Sequence, residues 1–168
     1  IIIDKKTGDL LNVQGKGDLK LNVNTLGKFE MLGDYIITHG DYIFTLENVI
    51  NKKFDIRAGS SISWSGNPMN AEVDVITNYR QRASVAPLLN DTNGLYRNTT
   101  PVDCQHAITG KLFSPNIKLG IEFPNLDVTA KSRIESVLSD EAELNRQVFS
   151  FLLFRTFLTP LIYNTNGG

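Results

Sequence analysis

The sequence is poor in the residues that carry most reactive chemistry. It holds one cysteine, Cys104, two histidines, His39 and His106, and one tryptophan, Trp64. A lone cysteine forms no intramolecular disulfide and no cysteine-based zinc cluster, so Cys104 reads as a small apolar residue. Charge of one sign is also lacking: 17 basic and 18 acidic residues are interspersed, for a net charge of −1. Such a chain has no field that would recruit nucleic acid or an anionic bilayer from a distance. No apolar run approaches the roughly 18–20 residues of a membrane-spanning helix. The opening Ile1-Ile2-Ile3-Asp4-Lys5-Lys6 lacks the initiator Met, basic n-region and longer apolar stretch of a secretory signal. The expectation is a segment of a longer protein, with any membrane anchor outside this chain.

What is present is alternation. At 168 residues the chain is long enough for one domain with its own core. From Leu10 to Tyr79 apolar residues recur at every second position, the period of a half-buried strand. Leu19, Leu21 and Val23 form one set. Phe29, Met31, Tyr35 and Ile37 form another, and Tyr42, Phe44 and Leu46 a third, behind an expected turn at His39-Gly40-Asp41. Phe54 and Ile56, Ile62 and Trp64, and Ala71, Val73 and Val75 continue the series. Further turns are expected at 15–18, 24–27, 51–53, 59–60 and 65–68. Connections this short join antiparallel neighbours, because a parallel crossover needs a dozen or more residues. Residues 1–85 therefore read as an antiparallel β-meander with one apolar face.

The polar stretch Asn90-Asp91-Thr92-Asn93-Gly94, followed by Asn98-Thr99-Thr100, marks 86–101 as a mobile loop. Alternation resumes over 102–124, a β-hairpin with Val102, Cys104, His106, Ile108 and Leu112 on one strand and Ile117, Leu119, Ile121 and Phe123 on the other. A helical segment follows over 131–158. Asp140 with Glu143 resembles a capping box, and Leu144, Val148, Phe151 and Leu152 share one face. Phe149, Leu153, Phe154, Phe157 and Leu158 make this helix apolar on nearly every side, so it is expected to be buried on several faces and to close the groove. The fold class is all-β with a C-terminal helix: a single domain over 1–168 built on a curled, mainly antiparallel sheet.

No catalytic, metal or cofactor site emerges. Cys104 and His106 share a strand face, but their side chains would stand roughly 6–7 Å apart, too far for direct hydrogen bonding. His39 beside Gly40 reads as a turn residue. No glycine is followed by the Lys-Ser/Thr and helix of a phosphate-binding loop. Trp64 and the aromatics around it lack the basic surround of a base-stacking platform and read as the walls of an apolar groove. That groove would be lined by Phe29, Tyr42, Phe44, Ile56, Trp64, Val73, Ile108, Leu119 and Ile121.

The stretches Gly27-Lys28-Phe29-Glu30-Met31-Leu32-Gly33-Asp34-Tyr35, Gly40-Asp41-Tyr42-Ile43-Phe44-Thr45-Leu46, Phe54-Asp55-Ile56 with Gly59 to Pro68, and Gly110 to Leu119 resemble, in order and spacing, the C-terminal region of TamB proteins. Leu144 to Leu153 resembles the version found in Bacteroidetes. The resemblance implies a periplasmic part of a protein anchored in the inner membrane, with a TamA-like outer-membrane barrel as partner and a role in outer-membrane biogenesis. Through similarity to AsmA-like and bridge-like lipid-transfer proteins it further implies a taco-shaped sheet whose trough carries phospholipid acyl chains. The alternative is an assembly factor that offers a sheet edge to outer-membrane or secreted β-barrel proteins. No enzymatic activity, nucleic-acid partner or cofactor is expected.

Overall fold

The computed structural model describes residues 2–4, 8–46 and 48–164. Its contacts divide the chain into two units, Ile1–Tyr79 with Gln105–Lys118 (unit 1) and Arg80–Cys104 with Leu119–Gly168 (unit 2). The strands are β1 (Ile2–Asp4), β2 (Asp9–Gly17), β3 (Lys20–Val23), β4 (Phe29–Leu46), β5 (Ile50–Ile56), β6 (Ser61–Gly66), β7 (Glu72–Ser84), β8 (Thr99–Lys111) and β9 (Ser114–Glu122). They pair in the order β1-β2-β4-β5-β7-β8-β9, with β3 beside β4 and β6 between β4 and β7. The order follows the sequence, as a meander requires, and β1 and β9 are not paired with each other among the described residues. The fold is thus a mainly antiparallel sheet with a C-terminal helix.

β4 organises unit 1. On one edge it pairs with β3 and then β2, and on the other with β6 and then β5. No turn interrupts it at His39-Gly40-Asp41. Gln14 faces His39 but Gly15 faces Ile37, so Thr38 is a bulged residue, and its hydroxyl donates to the Gln14 carbonyl at 3.1 Å. The extra residue moves the apolar set from odd positions (Tyr35, Ile37) to even ones (Tyr42, Phe44) without leaving the sheet. A phase break alone looks the same as a turn. The expected turn at Asn51-Lys52-Lys53 is likewise displaced: β5 includes those residues, and the chain reverses at Asn48, which takes φ 56°.

In unit 2, the segment read as a loop over 86–101 opens with a helical turn, α1 (Ala86–Leu89), whose Leu88 and Leu89 are buried, and closes inside β8. Between them the Asp91 carboxylate accepts from the backbone N–H groups of Asn93 and Tyr96, at 3.1 and 2.7 Å. Two helices follow, α2 (Val128–Val137) and α3 (Glu141–Phe154), each capped by an aspartate: Asp127 accepts from Ala130 N and Asp140 from Glu143 N. The Glu143 carboxylate does not complete a capping box but accepts from Gln147 and Arg146.

α3 stops at Phe154, short of the expected end, because Arg155 turns left-handed at φ 56°. Residues 155–160 then run back along the helix. The buried Gln147 accepts from Leu158 N and donates to Leu158 O, both at 2.9 Å, so its amide replaces the backbone partner those groups would have in a helix. Phe157 stacks on Phe151 with ring centres 5.5 Å apart. Phe149, Phe154 and Leu158 remain exposed, which corrects the expectation of a helix buried on nearly every side. A last turn, α4, spans Leu161–Asn164. No helix among the described residues is long and apolar enough to cross a membrane.

Gly33 shows how closely the backbones of unit 1 approach. It takes φ 125°, and a Cβ there would strike the Asp18 carbonyl oxygen. Gly33→Ala should lower the unfolding free energy by about 2–3 kcal/mol, read from urea midpoints, because strain and overlap add. Gly120 has open space around its Cβ position. Gly120→Ala should stabilise slightly, by roughly 0.4–1 kcal/mol.

Candidate functional site

The strand register gathers side chains of one parity on one face of unit 1. Tyr42 lies opposite Leu11 and Phe54, Tyr35 opposite Ile62, and Ile62 opposite Val73. Along this face the apolar positions split into a filled part and an accessible part. In the filled part, Tyr42, Phe54, Ile56, Val73 and Ile108 are buried. In the accessible part, Val13, Leu19, Tyr35 and Trp64 line a cleft of about 610 Å³ above the buried Leu11 and Ile62, and Asn12, Gln14, His39 and Asp41 complete its lining. Asn12 donates to Asp41 at 2.9 Å.

Unit 2 has a cleft of its own, of about 420 Å³, between the end of β9 and the helices. Ile121, Phe123, Ile134, Leu138 and Leu144 supply its apolar lining, and Glu122, Lys131 and Glu135 its charged rim. Both volumes fall within the roughly 300–1,000 Å³ of small-molecule sites, and both show the usual apolar lining with a few polar groups.

The filled part of unit 1 contains an unusual polar core. The His106 ring stacks on Phe54 with centres 4.3 Å apart, lies 4.7 Å from Phe44, and meets the Tyr42 ring edge-on at 5.6 Å. Neither ring nitrogen of His106 has a hydrogen-bond partner among the described residues. Burial drives its pKa down from 6.5 to about 4, so the imidazole is neutral at physiological pH. Beside it, Tyr42 donates to the buried Asp9 carboxylate at 2.7 Å, and Thr45 N donates to the other Asp9 oxygen at 2.9 Å. In unit 2, burial pushes the Cys104 thiol up to about 12, which leaves little thiolate for chemistry. The described residues contain no cluster of His, Cys, Asp and Glu that could hold a metal ion. What the geometry supplies is sheltered apolar surface.

Of the residues read from the sequence as groove lining, Trp64 lines the first cleft and Ile121 the second. Tyr42, Ile56, Val73 and Ile108 are buried, Phe44 and Leu119 half-buried, and Phe29 exposed. The clefts bring in Leu11, Val13, Leu19, Tyr35 and Ile62 in unit 1, and Phe123, Ile134, Leu138 and Leu144 in unit 2. The signal for them was present: Leu11 and Val13 alternate, and Ile134 and Leu138 share a helix face.

Among known families, the TamB C-terminal domain profile matches residues 1–168. No curated protein and no solved structure matches the chain.

The buried imidazole makes stability depend on pH. Its folded pKa, about 4, lies below the ordinary 6.5, so between those values the unfolded chain takes up a proton that the folded chain refuses. Stability is therefore full above pH 6.5, falls as pH drops towards 4, and the loss levels off near 3 kcal/mol, to order of magnitude. His106→Phe keeps the ring contacts and removes both unpartnered nitrogens. Denaturant midpoints at pH 7 and pH 4.5 should differ clearly for the wild type, and the contribution of this site to that difference should vanish in the variant.

Proposed function

The chain belongs to the TamB C-terminal domain family, and from that membership we propose that it forms part of a hydrophobic conduit for phospholipid between the inner and outer membranes. The family's work is translocation and assembly at the outer membrane, within the cell envelope. The observation that carries the finer reading is the cleft of unit 1, whose reachable apolar surface comes from Val13, Leu19, Tyr35 and Trp64 and whose lining is completed by Asn12, Gln14, His39 and Asp41. An acyl chain laid there leaves water at a gain of roughly 0.8 kcal/mol per buried CH₂, while its headgroup stays in water. Transfer along such a surface needs no bond to be made or broken. Leu119, half-buried on β9, adds apolar surface in unit 2 in this reading.

A second reading rests on β9. It stands at the end of the strand order with β8 as its neighbour, and no further strand among the described residues pairs with it. An assembly factor could offer that edge to a β-barrel protein, with a TamA-like barrel as partner. Pro115 and Lys118 on β9 are residues that commonly discourage such pairing, which favours the conduit.

Mass spectrometry of organic extracts from natively purified chain tests the reading. Diacyl phospholipid should be recovered from the wild type and should fall at least fivefold in Trp64→Asp, which sets a charge into the cleft. Extracts free of phospholipid, or equal recovery from a folded Trp64→Asp variant, would remove the conduit and leave the strand edge.

A further inference from the structure

We propose that one end of the unit 1 sheet is a bilayer-seating surface, formed by the tips of three successive turns that each project an apolar side chain. The turns are β3–β4, with Leu26 91% exposed, β6–β7, with Met69 65% exposed, and β8–β9, with Phe113 44% exposed. The register puts them at the same end: Met31 pairs with Gly66, Ser63 with Glu72, and Leu112 N donates to Ala71 O at 2.9 Å. Val23 and Phe29, a cross-strand pair just inside the first tip, are exposed as well. Of the other exposed large apolar residues in the unit, Val49 lies at the opposite end.

Three features select a lipid surface as the occupant. Successive tips are separated by two strands, roughly 10 Å at the usual spacing. They form an oblique row of convex points, where a peptide or a protein partner would need a groove. The first two turns also satisfy their own backbone donors. Asn24 Oδ1 accepts from Leu26 N and Lys28 N, at 3.0 and 2.8 Å, and Asn67 Oδ1 accepts from Met69 N at 2.9 Å. Backbone sealed in this way loses little when it leaves water. Finally, residues 24–28, 66–71 and 110–114 contain no carboxylate, while Lys28 and Lys111 stand beside the first and third tips. Each lysine pairs with a glutamate one step further from the end, Glu30 at 2.9 Å and Glu72 at 3.3 Å. The lysines thus stand nearer the headgroups than the glutamates that pair with them. With a net charge of −1 the chain gains no long-range attraction; apolar insertion drives the contact and anionic lipid strengthens it.

This surface lies apart from the clefts and does not depend on the conduit reading. Flotation with vesicles of phosphatidylcholine and phosphatidylglycerol tests it, with size exclusion run in parallel. The chain should float with vesicles, and Leu26→Asp/Met69→Asp/Phe113→Asp should reduce the floated fraction at least tenfold. Leu26→Asp alone, at the most exposed tip, should reduce it several-fold. Val49→Asp, at the far end, should float as the wild type does. A wild-type chain that stays in solution, a triple variant that floats normally, or a wild-type dimer that the triple variant dissolves would each overturn it, the last in favour of a contact between copies.

Discussion

β4 is bonded along both edges, and the position of nearly every other strand in unit 1 follows from that. Its first half holds β3 and β6 and its second half holds β2 and β5. The Thr38 bulge lets a single strand serve both halves while its apolar set changes parity. Close backbone approach makes this possible: a Cβ at Gly15, Gly17 or Gly40 would meet a carbonyl of the facing strand, and one at Gly33 the Asp18 carbonyl. Any of these side chains would push β2 or the 18–19 crossing away from β4 and with it the wall of the cleft.

The inner face of unit 1 is divided between a filled core and an open cleft. Around His106 the three rings of Tyr42, Phe44 and Phe54 fill the space, and Asp9 ties Tyr42 to the backbone of Thr45. This part is a core, and a neutral imidazole is tolerated there at some cost in stability. Towards Trp64 the same face opens into the cleft.

The fold class was legible because alternation survives every local irregularity: a meander with short connections and a helix after Asn125 follow from period and turn chemistry alone. The errors fall where one residue changes phase. His39-Gly40-Asp41 read as a turn because the Thr38 bulge and a reversal break the alternation in the same way, and Asn51 to Lys53 read as a turn on composition although their backbone is paired. α3 was read four residues too long, since Phe157 and Leu158 continue its apolar pattern while Arg155 leaves the helix. At the candidate site, parity identified the apolar face but not which part of it is filled. Tyr42 and Trp64 have the same sequence signature, yet one is buried and the other lines a cleft.

The account rests on acyl chains occupying the cleft. Photo-crosslinking in the living cell asks this directly, with a photoreactive phenylalanine analogue placed at Trp64 and, as a control, at the exposed Ile36 on the other face of the sheet. The account predicts adducts carrying the mass of a phospholipid at position 64 and none at 36. Adducts to protein alone at position 64, or equal lipid adducts at both positions, would contradict it.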